Sequence, residues 1–186
     1  MKIGPRTQLV LIASIFLLPI VASVTVYKYG HRLPTANHGE LLLPPAQVSG
    51  RTFTAADGRP FSFASLRGRW VLVAVDSGGC PADCQSKLLR VRQVWLALGR
   101  DAVRVARVLV IEGGRAPQAG VLAPFEGTET VLATGGEPFA PGTSGDRSHV
   151  YLVDPHGNVM MRWLAASDPK GMLLDLQRLL KASQIG

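Results

Sequence analysis

Hydrophobic positions along this chain follow three spacings, and each predicts a different element. From Thr7 to Tyr27 the sequence carries no charge and is rich in Leu, Ile, Val and Ala. At 1.5 Å per residue that run reaches roughly 30 Å, enough to cross a bilayer core. Val71 to Val75 and Val103 to Ile111 are short β-branched runs, the pattern of strands buried on both faces. Between them, apolar residues recur at Cys84, Leu88, Val91, Trp95 and Leu98, which predicts a helix with one buried face. Ser77-Gly78-Gly79 breaks the first strand before that helix, so the three elements form a right-handed unit of two parallel strands and a crossover helix.

The remaining elements are shorter. Arg51 to Thr54 and Pro60 to Phe63, around Asp57-Gly58, predict a small hairpin. Glu112 to Pro124 holds a short helical piece, Glu129 to Ala133 a strand, and Thr134 to Arg147 a Gly- and Pro-rich loop. His149 to Val153 and Asn158 to Trp163 flank Asp154-Pro155-His156-Gly157, a hairpin signal. Ser167-Asp168-Pro169 caps a last helix running to about Lys181, with Met172, Leu173, Leu176, Leu179 and Leu180 on one face. The expected layout is a tail at 1–6, a transmembrane helix at 7–28, a linker at 29–49 and a domain at 50–183. Pro34, Pro44, Pro45 and Gly39 give the linker its composition, and His31 and His38 read as spacers in it. The order of elements is the thioredoxin-like one: an α/β fold with a central mixed sheet flanked by helices.

Lys2 and Arg6 precede the apolar run, and Lys28 and Arg32 follow it, so charge leaves orientation nearly undetermined. A cleaved signal peptide is the alternative to an anchor. The length of the run and the lack of a small-x-small site before polar sequence favour the anchor. The chain is 47% hydrophobic, enough for one domain with a sizeable core. A net charge of +7 raises the question of nucleic acid, but the arginines are scattered and aromatics are only 6%, so no stacking surface is present. The basic surface suits anionic lipid or an acidic partner.

Chemistry concentrates in Cys80-Pro81-Ala82-Asp83-Cys84, which holds both cysteines of the protein. Two cysteines are too few for a disulfide scaffold or a four-ligand zinc site. Four apart across a first helical turn, with Pro81 suited to a first helical position, they bring two sulfurs together as a disulfide or around one soft metal ion. The bland alternative is a pair of small buried hydrophobes. Free N–H groups at the helix mouth favour a thiolate and suit Cys80 as an exposed attacking sulfur, with Cys84 resolving. Such a pair needs an oxidising or regulated compartment, so the domain is expected to face the periplasm, on the outer side of the inner membrane, or an equivalent space.

Phe61-Ser62-Phe63-Ala64-Ser65-Leu66-Arg67-Gly68-Arg69, the Cys80-Pro-x-x-Cys84 spacing and Val150-Tyr151-Leu152-Val153-Asp154-Pro155-His156-Gly157 together resemble the Sco (SenC/PrrC) family of cytochrome c oxidase assembly proteins. The likeness runs from about Val48 to Leu180. It implies a membrane-anchored assembly factor that exchanges disulfides, delivers Cu(I) to the oxidase copper site, or does both. It also implies copper held by Cys80, Cys84 and a distant histidine, and as partners oxidase subunits or other copper-site assembly factors. The family histidine position, five before Tyr151, is Asp146 here, and His149 lies three residues later. His149 is therefore either a displaced third ligand or a polar strand residue, and an odd offset on a strand turns a side chain to the opposite face. Gly78-Gly79 and Gln85 also depart from the family around the cysteines, as does Glu112-Gly113-Gly114-Arg115-Ala116-Pro117 after the next strand. His156 reads as a turn residue, Met160 and Met161 as core filling, and Asp146 as a solvated loop carboxylate. A different class of function remains open beside these: a non-catalytic docking subunit that keeps the fold without copper or redox activity.

Overall fold

Val71 to Val75 lies in the middle of the sheet that organises this computed structural model, which describes residues 4–29, 37–48, 50, 52–113, 115–133, 138–143 and 145–183. The chain divides into two units, residues 1–36 and 37–186. The first holds α1, Pro5–Tyr29, which carries no charge between Arg6 and Lys28 and contains Pro19. Two of its hydroxyls bond within the helix, as suits lipid: Ser14 Oγ donates to the Val10 carbonyl and Thr25 Oγ1 to that of Val21, at 2.8 and 2.7 Å. Among the described residues it is the one helix long and apolar enough to cross a membrane.

Among the described residues the second unit has eight strands: β1 (Glu40–Gln47), β2 (Phe53–Ala55), β3 (Pro60–Phe61), β4 (Trp70–Ser77), β5 (Val105–Glu112), β6 (Glu129–Ala133), β7 (His149–Val153) and β8 (Asn158–Leu164). They form one sheet in the order β1-β8-β7-β4-β5-β6-β2-β3. β4 runs parallel to β5 and antiparallel to β7, so the sheet is mixed and its centre is the predicted crossover unit. The helices are α2 (Ala82–Ala97), α3 (Ala119–Leu122) and α4 (Pro169–Ala182). Asp168 caps α4 through its side chain, which accepts from Lys170 N at 2.9 Å.

The two sheet faces bury different sets. Val71, Val73 and Val75 join Phe63, Val108, Val110, Phe139 and Tyr151 on one side. Leu72 joins Val91, Leu152, Met172, Leu176 and Leu180 under α2 and α4 on the other. Each such side chain contributes about 1.5–3 kcal/mol when taken out of water.

Residues 40–47, expected within the linker, form the edge strand β1 on β8. Pro44 and Pro45 fall where its register shifts between Leu41 and Ala46, and an edge strand tolerates prolines that a central one does not. Leu41 and Leu42 pack against the two cores. His31 and residues 30–36 and 49 of the expected linker lie outside the described residues. His38 is not a spacer: its N–H donates to Asp175 at 2.9 Å, and its ring Nδ1 is 3.3 Å from the same carboxylate. Asp175 is buried and also accepts from Gly39 N and Trp163 Nε1. Burial acts to raise its pKa, but the donors from Trp163, Gly39 and His38 outweigh it and hold the group below the usual carboxylate range.

Candidate functional site

β4 delivers the chain to the cysteine loop. Cys80 N donates to the Ser77 carbonyl at 3.1 Å, closing a turn over Gly78 and Gly79. Cys80 takes a φ of 39°, and no other non-glycine residue among those described has a positive φ. That conformation costs about 1 kcal/mol for a side chain with a Cβ, and it folds the loop back toward α2. Pro81 stands at the N-cap rather than at the predicted first helical position, which Ala82 takes. Cys80 and Cys84 are joined as a disulfide with Cα atoms 5.1 Å apart. Of the two pairings left open by their spacing, the structure has the covalent one.

Both sulfurs are interior, Cys80 at 1% and Cys84 at 0% exposure. They pack with Ala74, Leu88, Leu109, Ile111 and Phe125, with Val121 and Leu122 of the α3 segment against them. A side chain on Gly78 would collide with the Arg115 carbonyl, so the bare backbone there lets the segment after β5 lie on the loop. The expected exposure of Cys80 is corrected accordingly: this segment roofs the disulfide.

Beside the loop lies a charge pair that hydrophobic periodicity did not reveal. Lys87, on the buried side of α2, is 2% exposed. Its Nζ donates to the Val75 carbonyl at 2.6 Å, to Asp76 Oδ2 at 2.8 Å and to the Arg147 carbonyl at 2.8 Å. Three donors meet three acceptors, so the ammonium is fully satisfied inside the protein. Asp76 also accepts from Ser77 N at 2.8 Å. Pro81, Asp76, Lys87, Arg147 and Leu164 line a cavity of about 530 Å³ beside the cysteine loop. The signal in the sequence was an acid ending an apolar strand and a lysine three residues after Cys84.

His149 sits elsewhere. Its Nδ1 is 2.8 Å from Asp146 Oδ2, and Asp146 also accepts from Tyr151 OH and from Ser148 N and Oγ. Asp146 is thus a bonded hub rather than a solvated loop carboxylate. Burial acts to raise its pKa, but the bonds from Tyr151, His149 and Ser148 hold it well below the carboxylate range. Burial first, and Asp146 second, push the Tyr151 hydroxyl up. Tyr151 pairs with Val73 in register and belongs with it to one core face, whereas the cysteines pack with Ala74 on the other. His149, two residues before Tyr151, shares its side of β7. The structure therefore joins Cys80 to Cys84 and does not bring His149 to them. No group of three His, Cys, Asp or Glu side chains suited to a metal occurs among the described residues. With both sulfurs bonded to each other and the imidazole held by Asp146 on the other face, the residues present do not fit a three-ligand copper centre. His156 is an exposed turn residue and Met161 is core, as expected.

No curated protein matches the chain in sequence. Solved structures match its fold. The apo Sco1 protein from Thermus thermophilus is 17% identical over 77% of this chain and 97% of its own, at a TM-score of 0.61. Yeast Sco1 with copper bound is 16% identical over 75% and 95%, at 0.63. BsSco is 16% identical over 75% and 96%, at 0.56, and is described as having a disulfide switch and belonging to the Sco family of cytochrome c oxidase assembly proteins. At these identities the likeness is one of thioredoxin-like fold. Residues 70–183, the larger part of the sequence, match the family model for the transmembrane-like, thioredoxin-like C-terminal domain, and the chain belongs to that family.

Proposed function

We propose that this protein is a membrane-anchored thiol–disulfide exchange factor for building the copper site of a respiratory cytochrome c oxidase, with its domain on the periplasmic side of the inner membrane. The observation that carries the reading is the Cys80–Cys84 disulfide between strand β4 and helix α2, made by the protein's two cysteines. Support for the pathway comes from the fold shared with Sco proteins, and support for the anchor from α1.

In the reduced protein the Cys80 thiolate attacks a sulfur of a client disulfide. One client sulfur leaves as thiolate, and a mixed disulfide to Cys80 forms. Cys84 thiolate then attacks Cys80 Sγ, the mixed bond breaks, and the client leaves as a dithiol. Two electrons pass to the client, and the protein ends in the disulfide state described above. Free N–H groups in the first turn of α2 stabilise the Cys84 thiolate before it attacks. In the reduced state the same two thiolates are soft donors that suit Cu(I), so delivery of Cu(I) to the oxidase site runs through the same pair.

The test uses the reduced full chain in detergent with a disulfide-bonded peptide from the oxidase copper-binding subunit. The wild type reduces the peptide, Cys84→Ser traps a mixed disulfide, and Cys80→Ser does neither. Burial of both sulfurs favours a second reading, a docking subunit without exchange. Normal oxidase maturation with Cys80→Ser and Cys84→Ser combined would establish that reading and reject the first.

A further inference from the structure

α2 and α4 lie side by side on one face of the sheet. Arg90 Nη1 donates to the Ala165 carbonyl, ahead of α4, at 2.6 Å, and Arg104 donates to the carbonyls of Leu180 and Ser183, at its end, at 3.0 and 2.9 Å. The two helices therefore run in the same direction, and their outer faces turn away from the sheet to the same side. Charge is uneven between this layer and the rest of the domain. Residues 82–104 and 168–182 hold eight Lys and Arg against four Asp, a net of +4, whereas the other residues of 37–186 hold eight against nine acids, a net of −1. Arg92, Arg100, Lys170 and Lys181 make no side-chain hydrogen bond or ion pair among the described residues. Leu89 and Leu96, two turns apart and about 20° off one line, are 46% and 51% exposed on the outward side of α2.

A single exposed leucine is ordinary, but leucines flanked by unpaired cations have the composition of a surface that rests on headgroups. Apolar side chains enter the acyl boundary there, and long basic ones spread to the phosphates. Seven residues, 30–36, separate the end of α1 from the second unit in sequence. A chain that short reaches no more than about 30 Å, so the bilayer that holds α1 is within the domain's reach. We propose that the outward face of α2 and α4 docks on an anionic phospholipid leaflet, with Leu89 and Leu96 entering the headgroup boundary and Arg92, Arg100, Lys170 and Lys181 meeting phosphates. The cations are spread over two helices, and a fluid leaflet brings a phosphate to each, whereas a protein partner needs acids at matching fixed positions. Both helix axes are then parallel to the leaflet, and the cysteine loop that precedes α2 stands about one helix diameter, ~10 Å, from the headgroups. The inference rests on α1 as the membrane anchor and is independent of disulfide exchange.

The full chain, reconstituted in nanodiscs whose lipid carries a headgroup nitroxide, tests this. Both leaflets are open in a disc, so the direction in which α1 inserts is immaterial. Gln93→Cys, exposed on α2 between the two leucines, takes a fluorophore, while Cys80 and Cys84 are bonded to each other and do not. Ser65→Cys, exposed on the segment that packs against the other sheet face, is the control. In discs of about one-third phosphatidylglycerol the fluorophore at 93 is quenched and that at 65 is not. Phosphatidylcholine discs weaken the quenching at 93, and salt raised to about 1 M, where the screening length is only ~3 Å, removes it. Arg92→Gln combined with Arg100→Gln lowers the docked-to-free ratio about 25-fold, at about fivefold per charge. Arg67→Gln combined with Arg69→Gln removes the same charge from exposed positions elsewhere and leaves the ratio unchanged. Co-purification of the chain with phosphatidylcholine discs reports the anchor by itself, so failure of the anchor and failure of the docking face are read separately. If the face belongs to an acidic protein instead, position 93 stays unquenched in phosphatidylglycerol; that result, equal quenching at 93 and 65, or an equal loss from the two arginine pairs overturns the proposal.

Discussion

Replacing Lys87 with methionine keeps the volume of the side chain and removes its charge and three donors. The Val75 carbonyl, Asp76 Oδ2 and the Arg147 carbonyl lose their partner together, two of them beside the cysteine loop. Breaking a buried ion pair from one side costs about 3–5 kcal/mol, because a carboxylate is left desolvated and uncompensated. Asp76 keeps one donor, Ser77 N, so the middle of that range applies, about 4 kcal/mol. Against a domain stability of about 5–15 kcal/mol this is a large fraction. At 2–4 °C per kcal/mol for a domain of this size, the melting midpoint falls by about 10 °C. Urea unfolding followed by tryptophan fluorescence gives the free energy directly, with an unchanged slope showing that compactness is preserved. Adding Asp76→Asn to Lys87→Met recovers part of the loss, since it removes the orphaned charge. A loss below 1 kcal/mol for Lys87→Met would refute the reasoning, because it would mean that water in the adjoining cavity solvates Asp76 as well as the ammonium does.

Three further outcomes are expected. Gly78→Ala drives a methyl group into the Arg115 carbonyl, costs about 1–3 kcal/mol, and accelerates reduction of the disulfide by a small thiol about tenfold; a rate equal to wild type would show that this contact does not close the roof. Asp146→Asn is destabilising above the unfolded carboxyl pKa of about 3.9, because the folded pKa is depressed, and its deficit shrinks as pH falls below that value; unfolding midpoints measured from pH 7 down to pH 3 check the sign. His149→Ala leaves both the exchange rate and the Cu(I) titration of the reduced protein unchanged within about twofold, and a tenfold loss of Cu(I) affinity would bring this imidazole to the sulfurs after all.

Periodicity read most of this fold correctly because burial and secondary structure demand the same residues. β4, β5, the β7–β8 hairpin, α2 and α4 all lie where apolar spacing put them. β1 escaped because Leu43-Pro44-Pro45 has the composition of a linker, and only an edge position with an irregular register can hold it. The cysteine turn was legible from two glycines after a buried strand, but its burial was not, since the roofing segment is distant in sequence. Lys87 and Asp175 were illegible for a shared reason. A charged residue is taken for a solvated one unless its partners are visible, and theirs lie on other elements: Asp76 and the Arg147 carbonyl for one, Trp163 and the His38–Gly39 backbone for the other.

The interior position of the disulfide changes what governs its reactivity. A thiol in solution meets these sulfurs only during a fluctuation that lifts the roof, so its observed rate is the intrinsic one multiplied by a pre-equilibrium constant. An opening free energy of about 3 kcal/mol would slow every diffusing reductant more than a hundredfold, whatever its potential. A macromolecule that binds the lifted conformation escapes that factor. Kinetic insulation, rather than redox potential, then determines which molecules this bond trades electrons with.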